Sequence, residues 1–184
     1  SHFNVVDKDG NVVAWTQTLL SRFGSFIMSP STGILMNNGM MWFDPAPGKP
    51  NSIRGGAKPL SNMCPTVALS DRLGAVGIGA SGGRKIMPSV AQLLSFMVDF
   101  GMDLETAFHQ PRIDASVVGM PAYNPRLPAD VIAALKARFP KAAERRLDPF
   151  PLAFACPSAV MFNDDGSQVA MTEIGQPWAG AAAG

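Results

Sequence analysis

The amino end of the sequence carries residues that could cleave an amide bond. Ser1 precedes His2. A hydroxyl at or next to a free α-amino group can attack an amide carbonyl while a neighbouring amine takes its proton. The alternative interpretation gives Ser1 no chemical role and treats it only as the first residue of the sequence.

A glycine pair further along the chain could stabilise the intermediate of such a reaction. Ser81, Gly82 and Gly83 follow an apolar run and precede a helical pattern. Successive glycines at such a turn can direct adjacent backbone N–H groups at the oxyanion of a tetrahedral intermediate. The alternative is a tight turn that requires positive φ angles and has no catalytic role.

Several polar side chains near these segments are candidates for support or substrate binding. Thr16 and Thr18 lie two residues apart on one face of a predicted strand, so Thr18 could approach the N-terminal hydroxyl. Arg22 could bind a substrate carboxylate or could simply be solvated. Ser61 and Asn62 precede another strand and form either a pocket edge or a turn.

The composition of the sequence limits the kinds of partner and ligand that this protein is expected to bind. Charged residues make up only 16% of the 184 residues and apolar residues 47%, whereas an average soluble domain has about 25% charged residues. A large surface buried against a partner chain would explain the difference. The net charge of +1 and scattered basic residues predict no nucleic-acid binding, and no apolar run reaches the roughly 18 residues of a membrane span. The cysteines and histidines form no ligand spacing, so we expect no metal site; they are Cys64, Cys156, His2 and His109. No cofactor is expected either.

Alternating and turn-forming residues predict three hairpins that would position the candidate site. The first covers residues 3–19, the second joins residues 66–70 to 74–79, and the third joins residues 158–162 to 168–172. A further short strand is predicted over residues 33–38. Residues 44–59 contain four prolines and predict an irregular loop.

Helical periodicity appears after the glycine pair. The apolar stripe formed by Val90, Leu93, Leu94 and Met97 has the spacing of one helix face. Two more helices are predicted over residues 103–109 and from Pro128 to about residue 138. The last of these is expected to bury Val131, Ile132, Leu135 and Phe139. The tail, residues 180–184, is predicted to be loose, and the whole chain, residues 1–184, is predicted to be a single α+β domain with antiparallel sheets.

Six motifs in order resemble the small, C-terminal subunit of the γ-glutamyltransferase family. They are SHFNVVDKDGN (1–11), TQT (16–18), FGS (23–25), GILMNN (33–38), KPLSNMCP (58–65) and GASGGR (79–84). The resemblance implies a four-layer αββα N-terminal-nucleophile (Ntn) hydrolase sandwich. It also implies a self-cleaving precursor whose large N-terminal subunit stays bound and completes the fold, without a cofactor. A dimer of such heterodimers is left open.

The resemblance also assigns roles to single residues. It places the nucleophilic Thr one residue before Ser1, unless Ser1 itself has taken that role. Thr18 matches the threonine that supports the nucleophile. The glycine pair, Gly82 and Gly83, matches the oxyanion hole. Ser61 matches a serine that contacts the substrate carboxylate, while Asn62 replaces the serine usually next to it.

Departures from the family pattern concern the substrate. Glutamyl-specific members place an Asn where this chain has Leu20, a Gln or Glu at Gly39, and an Asp at Trp42. A buried ammonium needs a charged or hydrogen-bonding partner, which Trp42 does not supply beyond a weaker cation–π contact. We therefore expect recognition of the α-amino group to be largely lost. The loop over residues 44–58 is short, which predicts no long lid.

These features together predict an amidohydrolase or acylase that forms an acyl-enzyme. The expected acyl donor is a small amide with a carboxylate, of glutaryl, oxamate or glutamyl type, bound by Arg22 and Ser61. A true γ-glutamyltransferase or glutathione hydrolase is the first alternative. A catalytically inactive family member with a binding role is the second. The cellular compartment is left open.

Overall fold

The computed structural model describes residues 1–147 and 153–182, which form two compact units. The first unit combines Ser1–Thr16 with Met63–Gly184, and the second is Gln17–Asn62. Residues 183 and 184 of the tail predicted to be loose lie outside the described residues.

Three sheets and three helices make up the described part of the first unit. The strands are β1 His2–Val6, β2 Val12–Thr16, β3 Thr66–Ser70, β4 Gly74–Ser81, β5 Ile113–Asp114, β6 Ala122–Tyr123, β7 Ala143–Glu144, β8 Cys156–Phe162 and β9 Gln168–Thr172. The helices are α1 Ile86–Val98, α2 Leu104–His109 and α3 Ala129–Arg138, with a 3₁₀ turn at Gly83–Lys85. The central sheet is antiparallel in the order β3-β4-β8-β9; β1 and β2 form a hairpin, and β5-β6-β7 form a small mixed sheet.

Strand β4 lies in the middle of the sandwich, and its two faces differ in residue size. Its large apolar residues Val76 and Ile78 are buried in one cluster with Val90 and Leu93 of α1. The opposite face carries glycines, and a Cβ added to Gly77 would lie 2.7 Å from Val12 Cγ1. The hairpin β1–β2 therefore packs closely on the central sheet because β4 has no side chains there.

The outer face of the hairpin β1–β2 is apolar and exposed. Phe3, Val5, Val13 and Trp15 are each 46–51% exposed, and the rings of Phe3 and Trp15 stack with centroids 6.3 Å apart. The inward face carries His2, Asn4 and Thr16 among others. The described part of this unit thus shows helix, sheet and hairpin layers in succession.

The second unit, residues 17–62, consists mainly of turns. It contains one 3₁₀ helix, Gly39–Trp42, and isolated bridges between Met28 and Leu35 and between Asp44 and Ser52. The strand predicted over residues 33–38 is wrong, because its apolar residues pair only through the Leu35 bridge and most remain exposed. The irregular loop predicted over residues 44–59 is confirmed.

The three predicted hairpins and three predicted helices are present, with smaller differences. The first hairpin ends at Thr16 instead of residue 19. Val131 is 38% exposed and does not face inward as predicted. The half-buried stripe of α3 instead runs through Ile132 and Leu135, and Lys136 on that face lies over the Tyr123 ring at 5.5 Å. The two-residue strands β5, β6 and β7 were not predicted, since such short strands leave no periodic signal.

Candidate active site

The turn after β4 is fixed in a conformation that requires glycine. Gly82 has φ 140° and Gly83 has φ 64°, both in the region that favours glycine. A Cβ on Gly82 would lie 2.7 Å from the Cα and 2.8 Å from the Cβ of Ala155. Ser81, at the end of β4, pairs with Cys156 of β8, so the sheet positions the turn directly before α1.

A cavity lies between this end of β4 and the amino end of the chain. Its lining includes Ser1, His2, Ser81, Cys156, Ser158 and Trp178. The first unit thus brings Ser1 and the residue that precedes the glycine pair to one concave surface. A nucleophile at the amino end and backbone donors at the turn are the two components that acyl transfer requires.

A chain of hydrogen bonds connects the hairpin to the central sheet beside Ser1. The Nδ1 atom of His2 lies 2.7 Å from Thr16 Oγ1, and its Nε2 atom lies 2.9 Å from Asn4 Oδ1. Asn4 Nδ2 donates to the backbone oxygen of Ser158 at 2.9 Å and approaches its hydroxyl oxygen at 3.1 Å. Burial lowers the pKa of His2, and the hydrogen bond to Asn4 opposes the shift.

A buried ion pair supports β8 and β9 behind the turn. Arg112 donates to the carboxylate of Glu173, and both side chains are at most 3% exposed. The backbone N–H of Glu173 donates to Pro157 O at 2.9 Å, next to Cys156. Burial raises the pKa of Glu173, while Arg112 opposes the shift. Burial and the Glu173 charge also raise the pKa of the Cys156 thiol.

Three of the sequence-predicted residues lie near one another in the second unit. Thr18 Oγ1 accepts a hydrogen bond from the backbone N–H of Leu20 at 2.8 Å. Leu20 has φ 69°, a left-handed conformation that is rare for a branched side chain. Arg22 follows and is exposed. Ser21 lies between Leu20 and Arg22. Its Oγ accepts a hydrogen bond from Asn38 Nδ2 at 2.7 Å, and its backbone N–H donates to Asn38 Oδ1 at 3.0 Å.

The remaining predicted residues of this unit are ordered by two asparagines. Gly39 N–H donates to Asn37 Oδ1 at 2.8 Å, and a Cβ on Gly39 would lie 3.6 Å from the Trp42 ring. Asn51 Nδ2 donates to Trp42 O at 2.6 Å, and Asn51 Oδ1 accepts from the N–H of Leu60 at 3.0 Å. Asn51 therefore connects the Trp42 segment to the residue before Ser61. Ser61 is exposed and Asn62 is half-buried.

Sequence reasoning missed the polar residues that hold these segments in place. Asn4, Arg112, Glu173 and Asn51 were not singled out, because their types give no sign of burial or of distant partners. The glycines at alternate positions of β4 were the available signal for a close approach by another element.

Within residues 1–147 and 153–182, no group of three or more His, Cys, Asp or Glu side chains could hold a metal ion. No helix in this described part is long and apolar enough to cross a membrane.

Comparison with known proteins agrees with the motifs. The sequence model of the γ-glutamyltranspeptidase family matches residues 1–154. A glutathione hydrolase proenzyme of Bacillus subtilis strain 168 is 36% identical over 135 residues, which is 73% of this chain and 23% of that protein. The acylase ACY 1 proenzyme of Pseudomonas sp. strain V22 is 34% identical over 167 residues, which is 91% of this chain and 29% of that protein. The chain thus spans about a quarter of the length of these relatives.

The fold agrees with that of solved relatives. A γ-glutamyltranspeptidase from Pseudomonas nitroreducens, in complex with L-DON, superposes with a TM-score of 0.77 at 26% identity. The match covers 100% of this chain and 99% of that one. The predicted α+β, αββα Ntn-hydrolase class is therefore confirmed. With a family match over most of its length and relatives above 30% identity, the chain belongs to the γ-glutamyltranspeptidase family.

Proposed function

We propose that this chain is part of the nucleophile-bearing subunit of an Ntn amidohydrolase or acylase that forms an acyl-enzyme with a carboxylate-bearing amide. The nucleophile is the Thr expected one residue before Ser1, or Ser1 itself. The observation that carries the proposal is the glycine turn at Gly82 and Gly83, next to Ser81 in the cavity that Ser1 also lines. The backbone N–H groups of this turn are assigned to the oxyanion.

The proposed donor bears a carboxylate without a required α-amino group. Trp42 and Leu20 occupy places where glutamyl-specific relatives are expected to carry an Asp and an Asn. A ligand ammonium at Trp42 would lose water without gaining a charged partner, which is unfavourable. Glutaryl-type and oxamate-like amides avoid this cost. We assign the donor carboxylate to Arg22 and Ser61, with Thr18 supporting the nucleophile.

A true glutathione hydrolase is the second candidate. It is favoured by the 36% identity to the Bacillus subtilis glutathione hydrolase proenzyme. Under this alternative the substrate ammonium is held by groups outside Trp42 and Leu20. Comparing kcat/KM for matched γ-glutamyl and glutaryl anilides separates the two candidates, because only the first predicts a preference for the glutaryl donor.

The test of the acyl-enzyme uses the full-length protein. Incubation with a glutaryl anilide and hydroxylamine should release the acyl hydroxamate, and intact mass should show an acyl adduct on this subunit during turnover. A processed protein that forms no hydroxamate and no adduct with either donor would contradict the proposal and favour an inactive member.

Variants at Ser1 identify the nucleophile. Ser1→Ala should keep the adduct if the preceding Thr attacks, and should lose it if Ser1 attacks. His109→Gln is a suitable control, since His109 is exposed and its Nδ1 atom hydrogen-bonds to Glu105 O within its own helix. The control should retain the adduct.

A substitution at Trp42 tests the assignment of substrate specificity. Trp42→Asp should raise the ratio of kcat/KM for glutamyl over glutaryl donors by about tenfold to a hundredfold, because a hydrogen bond to a charged group contributes about 1.5–3 kcal/mol. In the control Trp42→Asn, the new side chain has the size of Asp but no charge, so the ratio of the kcat/KM values should change much less. Equal changes in the two variants would contradict the assignment.

We also propose that a large subunit from the same precursor covers the outer face of the hairpin β1–β2. The proposal is supported by the exposed apolar side chains there and by the length of the relatives, of which this chain spans 23–29%. Phe3→Ser with Trp15→Ser should weaken the association of the two subunits in native mass spectrometry. Unchanged association would refute this placement of the interface.

A further inference from the structure

We infer that His2 is a positioning residue whose ring fixes the amino end of the chain against the strand that carries the oxyanion turn. The inference rests on the proposed function, because it concerns the geometry of the same site. It is carried by the hydrogen bonds of His2 and Asn4 and by the packing of the His2 ring on Gly79.

The hydrogen bonds determine which nitrogen of His2 carries the proton. The Ser158 carbonyl oxygen can only accept, so the amide nitrogen of Asn4 must face it, at 2.9 Å. Asn4 Oδ1 then faces His2 Nε2 at 2.9 Å and can only accept, so Nε2 is the donor. In the neutral ring, Nδ1 accepts from the Thr16 hydroxyl at 2.7 Å. Each group in this chain can therefore act only as a donor or only as an acceptor toward its neighbour, and this fixes both the tautomer and the orientation of the His2 ring.

The ring is also held by contact with β4. A Cβ on Gly79 would lie 2.2 Å from His2 Cε1, 2.5 Å from Nε2 and 2.7 Å from Nδ1. Gly79 is buried, and its backbone therefore forms the floor on which the ring lies. Any side chain at this position would displace the imidazole.

These contacts connect the two components of the candidate site over a short path. His2 is bonded directly to Ser1, while Gly79 lies on β4, three residues before Gly82, which follows the end of that strand. The carbonyl oxygen of Ser158 accepts the hydrogen bond from Asn4, and Ser158 is paired with Gly79 between strands β4 and β8. The distance between the nucleophile and the oxyanion donors therefore depends on the seating of the His2 ring. A misplacement of about 1 Å can reduce a rate about a hundredfold.

Variants of the full-length protein test this role. His2→Leu removes both ring hydrogen bonds and should lower kcat by about tenfold to a hundredfold, with KM changed less than about twofold. His2→Gln can still donate to Asn4 and should recover most of the lost kcat. His109→Gln, a change to an exposed histidine of α2, should leave kcat unchanged. A His2→Leu protein with the parent kcat would overturn the inference.

Gly79 provides a second variant that leaves His2 in place. Gly79→Ala should lower kcat to a similar extent, since the added methyl group occupies the position of the ring. Combining it with His2→Ala should cost less than the product of the two single effects, because removal of the ring makes room for the methyl group. Independent effects would show that the ring does not lie on Gly79 and would overturn the inference.

A measurement without turnover separates this inference from the proposed function. In ¹⁵N-labelled protein, two-bond ¹H–¹⁵N spectra at pH 7.5 should show His2 neutral with the proton on Nε2, and Asn4→Leu should destroy that preference. A mobile or Nδ1-protonated ring would refute the positioning role even in an active enzyme. An ordered Nε2–H ring in a protein that turns over no donor would instead contradict the proposed function alone.

Discussion

Substitution of Gly82 by alanine tests how strictly the oxyanion turn is determined. Gly82 has φ 140°, where non-glycine backbone strain costs about 1–3 kcal/mol. The new Cβ would also lie 2.7 Å from Ala155 Cα, a backbone atom that no rotamer change can move. Such overpacking typically costs about 1–3 kcal/mol. The two effects together predict a loss of about 2–6 kcal/mol in the free energy of unfolding.

A matched glycine separates backbone strain from steric contact. Gly166 has φ 82° and no atom within 4 Å of an added Cβ, so Gly166→Ala introduces strain alone. We expect this control to lose about 1–2 kcal/mol and to keep its kcat. The partner in the contact, Ala155, has φ 65° and can itself be replaced by glycine. Ala155→Gly in the Gly82→Ala background should restore only part of the stability, because the contact with Ala155 Cα remains.

The assay is thermal unfolding of the full-length protein together with kcat for the preferred donor. At about 2–4 °C per kcal/mol for a domain of this size, Gly82→Ala should lower Tm by at least about 4 °C. Its kcat should fall by about a hundredfold or more, the effect of losing one oxyanion donor. If Gly82→Ala matches Gly166→Ala in both Tm and kcat, the close contact with Ala155 and the catalytic role of the turn are both refuted.

Three further predictions concern ionisable groups in buried or half-buried positions. Glu173→Ala leaves the Arg112 charge buried without its partner and should cost about 3–5 kcal/mol of stability in thermal unfolding. The double variant Arg112→Met with Glu173→Leu should cost less, and equal losses would contradict the reasoning. Because burial raises the pKa of the Cys156 thiol, iodoacetamide should modify Cys156 in the folded protein at pH 7.5 more slowly than free cysteine, and an equal rate would be inconsistent with that shift. Burial lowers the pKa of His2 below 6.5, so its contribution to stability is complete above that pH and is lost on acidification. The Tm advantage of the parent over His2→Gln should therefore shrink from pH 7.5 to 5.5, and a constant difference would argue against the shift.

Regular elements with a strong local pattern were predictable from the sequence. The stripe containing Val90, Leu93 and Met97 predicted helix α1, and these three residues are at most 2% exposed. The turn residues 163–167 predicted the hairpin β8–β9, and the glycine pair predicted the transition from strand to helix. In each case the signal lies within about a dozen neighbouring residues, which is the range over which hydrophobic periodicity and turn chemistry act.

The features that the sequence did not reveal depend on partners far apart in the chain. Asn4 binds Ser158, 154 residues away, and Arg112 binds Glu173, 61 residues away. Residue type alone gives Asn4 and Arg112 a high chance of being exposed, so neither the half-buried Asn4 nor the buried Arg112 was expected. The prediction of a strand at residues 33–38 failed for the opposite reason. The segment contains three consecutive apolar residues, Ile34, Leu35 and Met36, but no adjacent strand pairs with them beyond the bridge from Met28 to Leu35.

The low charge content of the sequence is explained in part by the hairpin β1–β2. In a hairpin that packs one face on the core and exposes the other to water, apolar and polar residues alternate along each strand, and the outer residues are polar. Here the outer positions are Phe3, Val5, Val13 and Trp15, while the inward face holds the hydrogen-bonded polar residues His2, Asn4 and Thr16. A two-stranded hairpin with an exposed apolar face is marginal by itself. An apolar outer face is what a hairpin needs if its inward face positions a site and its outer face is covered by the rest of a larger protein, as the proposed large subunit would do.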